Sequence, residues 1–243
     1  MRRILIGPAI LNVPDVQFGR KESRMGAVHL TLQVWKRKVE RNLQDHGLKT
    51  TLSKTIAYLF KFAFEHRVYR LYRIDLLKDK TEPPSELEGV EFRFLDASDE
   101  AAIGQIEGNS EWLKGTVKQR LAAGAICVAA FEGGQLAGFN LVSFGKVFMP
   151  LVQIRRAFRE GEAWSEQIAT VKNFRKKGLA SQLRYRIFEE LRRRGYRQFY
   201  GGALDDNLPS LKLAQRVGFR EFVDVHYTRV LTFNWWRYVR LHR

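Results

Sequence analysis

The sequence predicts a mixed α/β fold with a basic helical extension at its N-terminus. Three observations carry that expectation. Downstream of Gly89, short apolar runs of strand length alternate with segments of helical spacing. Within that region, two apolar runs flank the turn EGGQ, Glu132–Gln135, as a hairpin requires. Upstream, KDKTEPPSELEG, Lys78–Gly89, holds two consecutive prolines that neither a helix nor a central strand tolerates, and reads as a linker. The expected organisation is an extension over 1–80 ending in a strand, a linker over 81–88, a domain over 89–234 and an aromatic, basic tail over 235–243.

Each element has a local reason. Leu32, Trp35, Val39 and Leu43 recur at helical spacing before Gly47, which predicts a helix over His29–Gly47. Thr50–His66 reads as a second helix, apolar around most of its circumference. Alternation in RVYRLYRIDLL, Arg67–Leu77, predicts a strand, although neither face is cleanly apolar. Past the linker, Gly89–Asp96 is strand-like, and a helix starts at Asp99 and Glu100, whose carboxylates suit its positive end. Trp112–Gly124 is a further helical candidate, and Ala125–Gly145 is the hairpin. Met149–Ala163 fits either a strand extension or a short helix. Ala163–Val171 is a strand leading into NFRKKGLASQLRYRIFEEL, Asn173–Leu191, a helix with Leu179, Leu183, Ile187 and Leu191 as its apolar stripe. Tyr196–Leu204 is a strand, and Leu208–Gly218 a helix with Pro209 in its first turn and Gly218 at its end. Arg220–Trp236 supplies the closing strand or strands.

Composition excludes several classes. With 45% apolar and 12% aromatic residues, the chain can build a sizeable core, which argues against wholesale disorder. Its one cysteine, Cys127, supports neither a disulfide framework nor a thiolate zinc site. The five histidines show no metal-ligand spacing, so no metal is expected. The opening MRRILIGPAIL faintly imitates a signal peptide, but the run is short and contains Pro8. TIAYLFKFAF, Thr55–Phe64, is too short to cross a bilayer and is interrupted by Lys61. A reducing, cytoplasmic setting is the expectation. The formal charge of +16 is uneven: residues 1–80 carry 17 Lys and Arg against 7 Asp and Glu. Such a field favours anionic partners, among them a phosphorylated co-substrate, nucleic acid or an acidic membrane surface.

The helix after Gly178 starts without a capping side chain, and Arg175, Lys176 and Lys177 crowd before it. Free amides at the positive end of a helix, approached through a glycine, suit an anion, while the alternative is that Arg175 to Lys177 merely decorate a solvated turn. Neither GxxxxGK[ST] nor GxGxxG occurs at this junction, and no GxSxG nucleophile elbow is present. RKKGLA matches the pattern [Q/R]xxGx[G/A] through Arg175, Gly178 and Ala180. NLPSLKLAQRVGF supplies Asn207, Ser210, Leu213, Gly218 and Phe219 downstream. With these two motifs, Gly89–Leu231 resembles the GNAT superfamily of acyl-CoA-dependent N-acetyltransferases.

The resemblance implies a mixed, largely antiparallel sheet flanked by helices and acetyl-CoA, or another acyl-CoA, as co-substrate. It implies that the amides around Lys176, Lys177, Gly178, Leu179, Ala180 and Ser181 hold the CoA pyrophosphate. The backbone of Ile168, Thr170 and Val171 would bond the pantetheine arm, and Asn207 and Ser210 would lie near the sulfur. Asn207 is equally a helix cap for Leu208 and Pro209. Glu166 stands where relatives carry a general base, with an exposed, arginine-paired strand residue as the alternative. The family's tyrosine acid corresponds to Ala214 here, which leaves Tyr200 and Tyr227 as substitutes or plain core aromatics. The activity so implied is acetyl transfer to a primary amine of a small molecule, amino sugar or protein. The alternative is a catalytically degenerate module binding CoA or an anionic partner. The tail FNWWRYVRLHR fits packing on the core first, an acidic membrane surface second and nucleic acid last.

Overall fold

The computed structural model describes residues 5–6, 16–18, 64–79, 82 and 84–241. The helix expected over His29–Gly47 and nearly all of the one over Thr50–His66 lie outside the described residues. Strands are β1 (Leu5–Ile6), β2 (Val16–Phe18), β3 (Phe64–Asp75), β4 (Val90–Leu95), β5 (Ile126–Glu132) and β6 (Gln135–Ser143). They continue as β7 (Lys146–Met149), β8 (Ile154–Ala157), β9 (Glu162–Thr170), β10 (Gln198–Leu204), β11 (Arg220–Val230) and β12 (Phe233–Arg240). The described helices are α1 (Glu100–Gly108), α2 (Val117–Ala122), α3 (Leu179–Arg193) and α4 (Leu208–Arg216).

Nine strands form one sheet in the order β1-β12-β11-β3-β10-β9-β6-β5-β4, and β2-β8-β7 form a second. Among the described strands every pairing is antiparallel except β9 with β10. Two sequence expectations are corrected by the position of β3. Phe64–His66 belong to this strand rather than to a helix, because each residue from Phe64 to His66 has a partner on β11. Nor does the strand close a separate extension, since it lies between β10 and β11 in the main sheet. That position explains its two-sided character. Tyr69 and Leu71 are buried with Trp164 and Tyr200 on one face, while Tyr72 and Ile74 are buried beneath α3 and α4 on the other. Trp235 to Arg240 of the tail lie in β12 and pair with β11, in line with packing on the core.

The ambiguous Met149–Ala163 segment contributes a strand, β8, and the small sheet packs Val147, Met149 and Ile154 against the face bearing Tyr69 and Trp164. Helices α1 and α2 cover the strands β4 to β6 through Ile103, Ile106, Val117 and Leu121. On the opposite face α3 buries Leu179, Leu183, Ile187 and Leu191 completely or nearly so, as its stripe predicts. The linker is tied to this helix, because Gln182 Nε2 donates to the Pro84 carbonyl at 3.0 Å.

The C-terminal turn of α3 is basic, which suits the negative end of the helix. There Arg193 Nη2 lies 2.7 Å and Arg194 Nε 2.6 Å from Glu190 Oε1. The hydrogen bond from Arg193, then that from Arg194, outweighs burial and holds the Glu190 carboxyl at about 2, against an ordinary 4.5. A depressed carboxyl stabilises the fold fully above 4.5, and that contribution is lost as pH falls towards 2. Glu190→Gln is therefore expected to lower the urea midpoint at pH 7 and to leave it unchanged near pH 2.

Candidate functional site

Strands β9 and β10 stay together for three residues only, with Gln198, Phe199 and Tyr200 opposite Glu162, Ala163 and Trp164. Both strands then continue without pairing to one another, so a gap opens from Ser165 and Gly201 onward. On its other side β9 pairs with β6, and the register steps from Leu141↔Gln167 to Val142↔Ser165. Glu166 is the residue left over, a β-bulge. Just past it, Gln167 accepts a hydrogen bond from Ser110 Oγ at 2.7 Å, and Glu166 Oε1 accepts one from Arg120 Nη1 at 2.7 Å. Only 10% of the Glu166 side chain is exposed. It is neither a free carboxylate nor an open surface residue.

The glycines of β10 allow the gap its shape. A Cβ on Gly202 would fall 2.7 Å from Tyr69 Cζ, and one on Gly201 would clash with the ring of Tyr72. Each tyrosine comes from β3 and lays its ring over a neighbouring strand that has no side chain there. Burial foremost, with Tyr72 and Glu166 adding to it, keeps the Tyr69 hydroxyl protonated far above its ordinary range.

At the other end of β9, the chain turns through a short 3-10 segment, Lys172–Phe174, into α3. Lys176 has φ 67° and Gly178 has φ 84°, both left-handed. Nothing lies within 4 Å of a Cβ placed on Gly178, so the left-handed backbone, not packing, favours glycine there. No side chain caps α3. The amides of Lys176, Lys177, Gly178, Leu179 and Ala180 donate to no acceptor among the described residues. Val171 N donates to the Ala137 carbonyl at 2.9 Å. By the alternation of an antiparallel ladder, Ile168 and Thr170 then turn their backbone groups to the open side. Arg175 Nε takes the Thr170 carbonyl at 3.2 Å.

These pieces surround one cavity of about 790 Å³. Ile168 and Thr170 line it from β9, Arg175, Lys176 and Gly178 from the turn, and Leu179, Ala180 and Ser181 from the first turn of α3. Asn207 and Ser210 line the far side from α4. Asn207 also caps that helix, its Oδ1 accepting from Ser210 N at 3.3 Å. Both motifs thus meet across one cleft. Lys212 and Arg216, which sequence reasoning missed, line it too. Their signal was present as a basic pair four residues apart on α4.

Other predicted residues lie elsewhere. The Val171 amide is committed to β6, and the Lys177 ammonium lies 3.2 Å from Glu132. Tyr200 sits at the closed end of the gap, its hydroxyl 3.2 Å from Glu162 Oε1. Tyr227 is on β11, two strands beyond β10, with its hydroxyl donated to Asn234 Oδ1 at 3.0 Å. It is a core aromatic there, removed from the gap because β3 intervenes. Ala214 is buried on the core side of α4. Among the described residues no helix is long and apolar enough to cross a membrane. No group of three or more His, Cys, Asp and Glu within that set suits a metal ion.

A largely antiparallel sheet that splits at its parallel pair, with an uncapped helix N-terminus facing the split, defines a transferase fold of the N-acetyltransferase class. The family model described as the acetyltransferase (GNAT) family matches residues 66–219, and the chain belongs to that family. Among solved structures, it is similar to a GCN5-related N-acetyltransferase from Sphaerobacter thermophilus at 14% identity and a TM-score of 0.50, over 90% of this chain and 70% of that one. A tandem GNAT protein from the clavulanic acid biosynthesis pathway aligns at 14% identity and a TM-score of 0.52, over 98% of this chain and 62% of that one. A Drosophila protein aligns at 13% identity and a TM-score of 0.49, over 82% of this chain; this chain spans 58% of its length. Identities this low speak to fold alone. A search of curated proteins finds no match.

The Tyr69 ring dictates glycine at position 202. Gly202→Ala is expected to cost about 2 kcal/mol, within the range for overpacking a filled site. Most of that cost should disappear when the same substitution is made in a Tyr69→Ala background, as a double-mutant cycle by urea unfolding would report.

Proposed function

We propose that the protein is an N-acyltransferase that moves an acyl group from a CoA thioester to a primary amine. The observation that carries this reading is the run of unpartnered amides from Lys176 to Ala180, facing a cleft that the second motif closes. Those amides, with the positive end of α3, suit the pyrophosphate. Lys212 and Arg216 add cationic charge for phosphate beside it. The outward amides of Ile168 and Thr170 and the outward carbonyl of Ile168 match the amide-rich pantetheine arm, as a missing strand would. The thioester then lies where β9 and β10 part, near the bulge at Glu166.

The acceptor must lose a proton before its nitrogen attacks. Glu166 is the bulged residue itself, and Arg120 fixes its orientation, so it serves as the base in this reading. The amine lone pair adds to the thioester carbon, the C–N bond forms, and the C–S bond breaks as the thiolate leaves. Tyr69 lays its ring over Gly202 beside the gap, and its buried hydroxyl stays protonated. One observation favours a second reading, a CoA-binding module without turnover: Ala214 occupies the position of the family's acid. Thiol release across an amine panel separates the two, since binding without release supports the second.

Gly178→Trp is expected to weaken CoA binding at least about tenfold by calorimetry, because the side chain intrudes on the amides and resists a left-handed backbone. Unchanged affinity would place the pyrophosphate elsewhere. Glu166→Gln is expected to lower kcat by about 100-fold, the lower range for a lost proton-transfer group, with little change in KM for the acyl donor. A wild-type kcat would remove Glu166 from the chemistry.

A further inference from the structure

Arg184 is an arginine where the pattern of α3 calls for an apolar residue. It follows Leu183 and shares a side of the helix with Ala180 and Phe188, four residues away on either side. Its residue surface is 2% exposed. The guanidinium lies over the rings of Phe199 and Phe219 at 5.2 and 5.4 Å, and Nη1 donates to Ser165 Oγ at 2.8 Å. Nε has no partner. No carboxylate among the described residues pairs with it. Burial pushes the guanidinium down to about 10, so it remains a cation at neutral pH. An unpaired buried cation is costly, and its place in a fold calls for an anion.

Its position says which anion. Ser165 is the first residue of β9 beyond the last pair with β10, and Gly201, covered by Tyr72, is the first of β10. The guanidinium therefore stands at the base of the gap on the α3 side. Ser181, one turn earlier on α3, lines the cleft. A second buried polar group points the same way. Asn140 is fully buried, and neither its Oδ1 nor its Nδ2 has a hydrogen-bond partner. It alternates with Phe139 and Leu141, which face α1 and α2, so it faces α3. Its Cα partner on β9 is Ile168, another cleft residue.

We propose that Arg184, with Asn140 beside the same stretch of β9, binds the terminal carboxylate of a dicarboxylic acyl group, so that the donor is a malonyl- or succinyl-type CoA thioester. This rests on the donor reading above and specifies its acyl class. The thioester end of such a group reacts as before: the amine nitrogen bonds to the carbonyl carbon, the C–S bond breaks, and the thiol takes up the proton that the amine loses. The far carboxylate is unchanged and supplies the charge that Arg184 lacks. A charge-assisted bond in a buried site discriminates strongly against a methyl group in the same place.

Calorimetry with free CoA, acetyl-CoA, malonyl-CoA and succinyl-CoA tests the proposal. The wild-type protein is expected to bind at least one of the two acidic thioesters about tenfold or more tighter than acetyl-CoA. Arg184→Met should abolish that preference while affinity for free CoA stays the same, and Arg184→Lys should retain part of it. Asn140→Leu, which removes an unpaired amide at nearly constant volume, should keep the fold and reduce the preference. Equal binding of acetyl-CoA and both acidic thioesters by the wild type overturns the inference while leaving the CoA site standing. An equal loss for all four ligands in Arg184→Met also overturns it, since that marks a structural role. Failure of the wild type to bind free CoA removes the donor reading and this inference together.

Discussion

The parting of β9 from β10 is the constraint on which the rest depends. A parallel pair buried between helices on one face and a second sheet on the other would ordinarily keep its ladder, because unpaired backbone groups in a core are expensive. Here the ladder ends after Tyr200 and Trp164, and each strand is held apart by its other neighbour. β6 holds β9 through six partners interrupted by the bulge, and β3 holds β10 along its whole length. Tyr69 and Tyr72 lie over the two glycines of β10 and stiffen that side. What remains is a slot with backbone donors and acceptors along one wall, which an amide-bearing chain can fill.

Charge is distributed to match. Several of the many basic residues are consumed locally: Arg70 grips Asp224 through two bonds of 2.8 and 2.9 Å, Arg120 holds Glu166, and Lys177 meets Glu132. Others converge on the cleft, where Arg175, Lys176, Lys212 and Arg216 surround the uncapped helix end. Short-range pairing and long-range attraction thus use different members of the same excess. A net charge of +16 describes neither arrangement by itself.

Much of the cleft was legible in the chain because its parts are local. The glycine at 178 with no capping residue, the Asn207 cap and Pro209 in the first turn of α4 each act within a few residues. The hairpin across Gly133 and Gly134 and the stripe of α3 are equally short-range patterns. The partners of Glu166 were not legible, since Arg120 lies 46 residues away and meets it only through the fold. Which of its two readings suits Tyr227 was not legible for the same reason, its distance from the gap being set by a strand 150 or more residues earlier.

The sequence by itself determined most of the helices and strands between Gly89 and the closing strands, though not the strand within Met149–Ala163, and that the helix after Gly178 starts without a capping side chain. Those properties follow from turn chemistry, side-chain period and unsatisfied amides, all readable within one helical turn or one strand. Only the tertiary structure decided that β3 enters the middle of the sheet and that its tyrosines cover the glycines of β10. It alone also decided that Arg184 turns inward to the base of the gap. These are outcomes of competition among distant segments for backbone partners and core volume, and no local pattern records which segment wins.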